Sequence, residues 1–119
     1  MRIDHLQIAA PAGCEAAARE FYGGILGMVE IVKPLALRNR GGCWFACGRQ
    51  QLHIGVEKDF RAAKKAHPAF AVDHLEALRQ ALLQRGYPAT EDENLPGLRR
   101  FYSEDPWGNR LEFVERHTG

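Results

Sequence analysis

The most constraining feature of the sequence is that it repeats itself. His5-Leu6-Gln7-Ile8-Ala9-Ala10-Pro11 leads into a stretch with helical spacing. His67-Pro68-Ala69-Phe70-Ala71-Val72-Asp73, starting 62 residues further on, does the same. A period of about half the chain means two copies of one supersecondary unit. Within residues 14–26, Ala17, Ala18, Phe21, Tyr22 and Ile25 keep helical spacing, with Gly23-Gly24 and Gly27 at or near the end. Within residues 74–85, Leu75, Leu78, Ala81 and Leu82 do likewise, with Asp73 as the expected N-cap and Gly86 as the stop. Three short strand-like stretches follow each helix: Met28–Val32, Gly42–Cys47 and Gln51–Val56, then Pro88–Glu91, Leu98–Ser103 and Asn109–Glu115.

The expected fold is therefore α+β, two βαβββ modules in one domain spanning residues 1–119. Module one covers about 1–57 and module two about 67–117. The connector, about 58–66, carries Lys58, Arg61, Lys64 and Lys65, and reads as a solvated linker. Each sheet buries one face under its helix, and the other must meet a second sheet. The two modules are thus expected to pair into an open β-sheet cup.

Composition narrows the functions available. Sixteen Lys and Arg against fifteen Asp and Glu leave a formal net charge of +1, which offers no field for a nucleic-acid backbone or an anionic membrane. No apolar run approaches the ~18 residues of a membrane span, and Asp4 and His5 interrupt any signal-peptide pattern at the start. The cysteines Cys14, Cys43 and Cys47 are odd in number, which points to reduced thiols and the cytoplasm. Cys43 and Cys47 lie four residues apart on one strand, roughly 13 Å, too far for a disulfide.

Strand alternation sorts the polar residues. Leu6 and Ile8 share a face opposite His5 and Gln7; Leu52, Ile54 and Val56 lie opposite His53. Phe70 and Val72 lie opposite His67; Leu111 and Phe113 lie opposite Arg110 and Glu112. The apolar sets suit the helix-covered faces, so His5, His53, His67 and Glu112 fall on the uncovered ones. Three imidazoles and a carboxylate suit a borderline divalent metal such as Zn, Ni, Co, Fe or Mn. The smaller set His5, His67 and Glu112 has the composition of the two-histidine, one-carboxylate facial site, which leaves positions open for substrate. Trp44 and Phe45 alternate on their strand, so one lines the open face and the other packs under the helix.

Asp4-His5-Leu6-Gln7-Ile8-Ala9, Phe21-Tyr22-Gly23-Gly24-Ile25-Leu26-Gly27-Met28 and Asp105-Pro106-Trp107-Gly108-Asn109-Arg110-Leu111-Glu112 together resemble the vicinal oxygen chelate superfamily. This is the group of glyoxalase, bleomycin-resistance and dioxygenase proteins built from paired βαβββ modules. The resemblance covers nearly the whole chain and implies ligands from the first and last strand of each module: His5 and His53, then His67 and Glu112. It implies a metal that holds vicinal oxygens of a small substrate, with Gln7, Arg100, Tyr102 and Arg110 as neighbouring groups that orient it or move a proton. Arg100 or Arg99 is expected to pair with an anionic substrate.

Among the family's reactions, glyoxalase-type lyase or isomerase chemistry leads, although glyoxalase I enzymes usually have a glutamate where this chain has His53. Thiol transferases acting on fosfomycin use the positions of His5, His67 and Glu112, but their serine-rich loop has no counterpart before Tyr102. Extradiol dioxygenases share the ending from Phe101 to Glu112 but have a histidine shortly before that tyrosine, and residues 91–100 contain none. The alternative is a non-catalytic binder of a drug or metabolite, of the bleomycin-resistance kind, which needs no metal. The superfamily also implies a homodimer in which module one of one chain faces module two of the other, so that each site is shared.

Overall fold

The computed structural model describes residues 1–92, 94 and 97–117. The chain divides into two compact units, residues 1–62 and 63–119. Each is a βαβββ module with its own four-stranded sheet.

In the first, β1 (His5–Ala10) leads through a helical segment to β2 (Val29–Ile31), β3 (Cys43–Cys47) and β4 (Gln50–Val56), in the order β1-β4-β3-β2. β1 runs parallel to β4 and the other pairs are antiparallel. The helical segment is shorter as an α-helix than the sequence suggests. Regular α1 covers Glu15–Ala18, and Arg19–Ile25 continues as a wider π-helical turn, where the Leu26 N–H reaches back to the Phe21 carbonyl at 3.0 Å. Widening lets two successive aromatics, Phe21 and Tyr22, both turn inward and become fully buried. Gly23 and Gly24 place no side chain in the wide turn.

Phe45 lies beneath this segment, its ring 6.0 Å from that of Tyr22. Trp44, one residue earlier, is on the opposite face. Between β2 and β3 the chain forms a 3-10 turn, Leu35–Arg40, that begins after the extended Pro34. Burial pushes the thiols of Cys14 and Cys43 up to about 11, consistent with packing rather than chemistry.

In the second module, β5 (Ala69–Val72) precedes α2 (Leu75–Gln84), β6 (Thr90–Glu91), β7 (Arg100–Glu104) and β8 (Arg110–Glu115). The order is β5-β8-β7-β6, again with one parallel pair, β5 and β8. His74, not Asp73, occupies the N-cap, so α2 begins one residue later than the sequence implies. Leu75 and Leu82 of α2, Phe101, Leu111 and Phe113 form the core. Phe113 holds Phe101 at 5.2 Å and Phe70 at 5.6 Å. Each such ring contributes roughly 1.5–3 kcal/mol by leaving water.

The turn between β7 and β8 is held by one carboxylate. Asp105 Oδ1 accepts the backbone N–H of Trp107 and Asn109, and Oδ2 accepts the Asn109 side chain at 2.8 Å. Asn109 Oδ1 in turn accepts the Ala63 N–H, and Lys64 donates to the Gly108 carbonyl at 2.6 Å. The end of the basic connector is thus stitched to module two rather than merely solvated. Among the described residues no helix is long and apolar enough to cross a membrane.

Candidate metal and substrate site

The open face of each sheet carries a pair of candidate ligands. In module one, β1 and β4 are in register with Gln7 beside His53 and His5 beside Gln51, which sets His5 and His53 on a diagonal. Their rings stack at 4.3 Å. Trp44, opposite His53 across β3 and β4, covers the other side of that imidazole at 3.8 Å and 2°. His53 is therefore only 6% exposed although it lies on the polar face. Burial, and next the neighbouring His5, lower its pKa below the ordinary histidine value and keep it neutral. Its Nε2 donates to Gln51 Oε1 at 2.9 Å, leaving Nδ1 with the lone pair. His5 is half-exposed and donates from Nδ1 to Asp4 at 3.0 Å, leaving Nε2. Gln7 lies across Gly55: a Cβ there would come within 2.7 Å of its amide nitrogen, so the glycine makes room for that side chain.

In module two, His67 sits just before β5, and Glu112 faces it from β8. His67 Nδ1 donates to the Lys65 carbonyl at 2.9 Å, while Nε2 lies 2.9 Å from Glu112 Oε1. With Nδ1 committed to a carbonyl, a neutral ring turns a lone pair at the carboxylate. Two lone pairs at that distance require a proton or a cation between them. Arg100 holds the other oxygen of Glu112 at 3.4 Å and reaches Asp92 at 2.9 Å. The Asp92 carboxyl is kept below its usual range by the Asn94 N–H, then by Arg100 and the Tyr102 hydroxyl. Tyr102 is the register partner of Glu112 on β7 and presents its ring edge-on to His67 at 5.6 Å. Arg110 lies over the Tyr102 ring at 4.1 Å.

Two carboxylates occupy Arg100, and Arg99 points to Glu76 at 3.5 Å. Among the described residues no three or more His, Cys, Asp or Glu side chains cluster into a metal cage; the donors come as one pair per module. The donor set nevertheless fits a divalent metal. In His5 and His53 one nitrogen donates to an oxygen acceptor, as in ligating histidines, while His67 is oriented by the Lys65 carbonyl and turns Nε2 to Glu112.

Sequence reasoning missed three supporting residues. Gln51 orients His53 from the same face of the same strand, a legible i, i+2 relationship. Gly55 and Asp92 left no signal, because one acts by lacking a side chain and the other depends on the register of β6 and β7.

The sequence pattern of the Glyoxalase/Bleomycin resistance protein/Dioxygenase superfamily matches residues 2–113. The chain belongs to that superfamily. Within it, a protein from Bacillus anthracis assigned to the glyoxalase family is 52% identical, with a TM-score of 0.92 over 98% of this chain and 96% of its own. A lactoylglutathione lyase from Agrobacterium tumefaciens shares the fold at 22% identity and TM-score 0.74, over 96% and 92% of the two chains. A fosfomycin resistance protein from Listeria monocytogenes does so at 15% and 0.77, over 98% and 94%. No curated protein matches the chain. Superfamily membership accounts for the doubled βαβββ module.

Proposed function

We propose that this superfamily member is a metal-dependent enzyme acting on a small oxygen-rich substrate, with glyoxalase-type lyase or isomerase chemistry. The observation that carries the reading is the His67–Glu112 contact. His67 Nδ1 is spent on a carbonyl, and the gap between Nε2 and Oε1 calls for a cation or a proton. His5 and His53 in module one, with His67 and Glu112 in module two, are the proposed ligands of a divalent ion (Zn, Ni, Co, Fe or Mn). When bound, the ion supplies Lewis-acid polarisation of the substrate's adjacent oxygens.

The chain's own residues then act around it. Arg100 fixes one oxygen of Glu112 and so orients the other. Tyr102 and Gln7 stand on the open faces, within the sets that can hydrogen-bond a substrate oxygen or carry a proton. The three free cysteines support a reducing, cytoplasmic setting.

The donors are divided between two modules, and the reading completes each site in a two-fold dimer, His5 and His53 coming from one subunit and His67 and Glu112 from its partner. Metal then stabilises the dimer by mass action. The test has two parts. Elemental analysis after reconstitution with each metal, followed by turnover of hemithioacetals and other vicinal-oxygen compounds, checks the chemistry; no metal uptake under any condition overturns it in favour of a binding protein. Refolding His5→Ala with Glu112→Ala chains together checks the sharing. A swapped heterodimer collects both lesions in one site and restores the other, whereas heterodimers with no recovered metal binding mean that each chain builds its own site.

A further inference from the structure

Among the described cations of module two, Arg110 lines a cleft and makes no ion pair with a described carboxylate. Arg100 is shared between Asp92 and Glu112, and Lys64 is tied to the Gly108 carbonyl and to Glu104 at 3.5 Å. Arg110 differs. Glu104 is its register partner on β7, yet among the described residues no carboxylate lies within ion-pair distance of its guanidinium. The group instead lies over the Tyr102 ring, its central carbon 4.1 Å from the centroid. It faces a cleft of about 330 Å³ whose wall also includes Lys64, Thr90, Tyr102 and Glu104. A guanidinium held against an aromatic face keeps its planar fork of donors, which receives a planar oxyanion with two parallel hydrogen bonds.

The cleft also selects among anions. Glu104 offsets Lys64, so the surplus charge is that of one guanidinium, which matches a singly charged carboxylate better than a dianionic phosphate. Arg110 and Glu112 stand two residues apart on β8, on the same face, roughly 7 Å along the strand. We propose that Arg110, held by Tyr102, is the specificity-determining receptor for a carboxylate of the substrate. The substrate class is then a short carboxylic acid whose adjacent oxygen pair lies about 7 Å from its acid group, a span of a few carbon–carbon bonds. This rests on the function proposed above, but the receptor itself needs no metal.

The experiment uses metal-free full-length protein in chelator, with the monocarboxylate butyrate as probe, followed by NMR of the Arg110 side-chain Nε and the Tyr102 ring. Butyrate is expected to shift both saturably, its methyl ester to shift neither, and Arg110→Gln to weaken butyrate binding at least tenfold. Cobalt(II) affinity, measured separately, should be unchanged by Arg110→Gln. If Arg110→Gln does not fold, Arg110→Lys serves: it keeps the charge, loses the fork and is expected to weaken binding severalfold. Equal binding of butyrate by the variant, equal binding of the ester, or tighter binding of inorganic phosphate than of butyrate overturns the assignment. Arg110-dependent butyrate binding in a protein that takes up no cobalt supports the receptor and removes the metal reading, so the two fail separately.

Discussion

The Trp44 indole lies on the His53 imidazole with ring centres 3.8 Å apart and planes within 2° of parallel. With His5 stacked on the far side, this removes His53 from water on a face that is otherwise polar. The folded protein therefore disfavours His53 in its charged form. An unfolded histidine titrates near 6.5 and the folded one lower, so the unfolded state binds more protons between the two values. Stability is complete above the unfolded value and is lost as pH falls through that window. In metal-free Trp107→Phe protein, Trp44 emission should be quenched on acidification with a midpoint below 6.5. Denaturant midpoints should fall over the same range, and His53→Gln should flatten that fall. A quenching midpoint at or above the ordinary value contradicts the burial argument.

A metal that takes the place of a proton between His67 and Glu112 would release that proton. Titrating metal in two buffers of different ionisation enthalpy should show proton release, and affinity should drop below about pH 6 as imidazoles protonate. Replacing His5, His67 or Glu112 by Ala should each cost more than the roughly 10–100-fold typical of removing an outer partner. His53→Ala should cost less, because Trp44 and His5 cover both of its faces. Calorimetry on each variant checks the order.

Arg100 touches Glu112 and Asp92 but is not itself a donor to a cation. Arg100→Gln should therefore weaken metal binding by about 10–100-fold while leaving stoichiometry intact. Asp92→Asn should do less, since Arg100 keeps its contact with Glu112. A loss of stoichiometry in Arg100→Gln would mean that the residue holds the fold of the site rather than the orientation of one carboxylate.

Gly42 and Gly48 flank β3, both with positive φ, but their surroundings differ. A Cβ on Gly42 would fall 2.0 Å from the Ile54 carbonyl oxygen, whereas one on Gly48 would meet nothing within 4 Å. Gly48→Ala should cost only the backbone term, roughly 1–2 kcal/mol. Gly42→Ala adds displacement of a central strand and should cost about 3 kcal/mol or more. Urea denaturation of the two variants compares them directly.

The repeat, the strand alternation and the turn residues determine much of this protein from the sequence alone. Period-two patterning put Ile54, Leu111 and Phe113 under the helices and His53 and Glu112 on the opposite faces, because alternation is a local property of an extended backbone. The Asp105 turn was legible for the same reason, since its bonds span only four residues. Three things were decided by tertiary structure. The first helix opens into a π turn because two adjacent aromatics both find the core, a gain that local spacing does not encode. His53 is buried because β3 lays Trp44 on it, which depends on strand register. Arg100 is engaged and Arg110 left over because Asp92 meets the former across the sheet, and the partner of a charge is fixed by which strands pair, not by its neighbours in sequence.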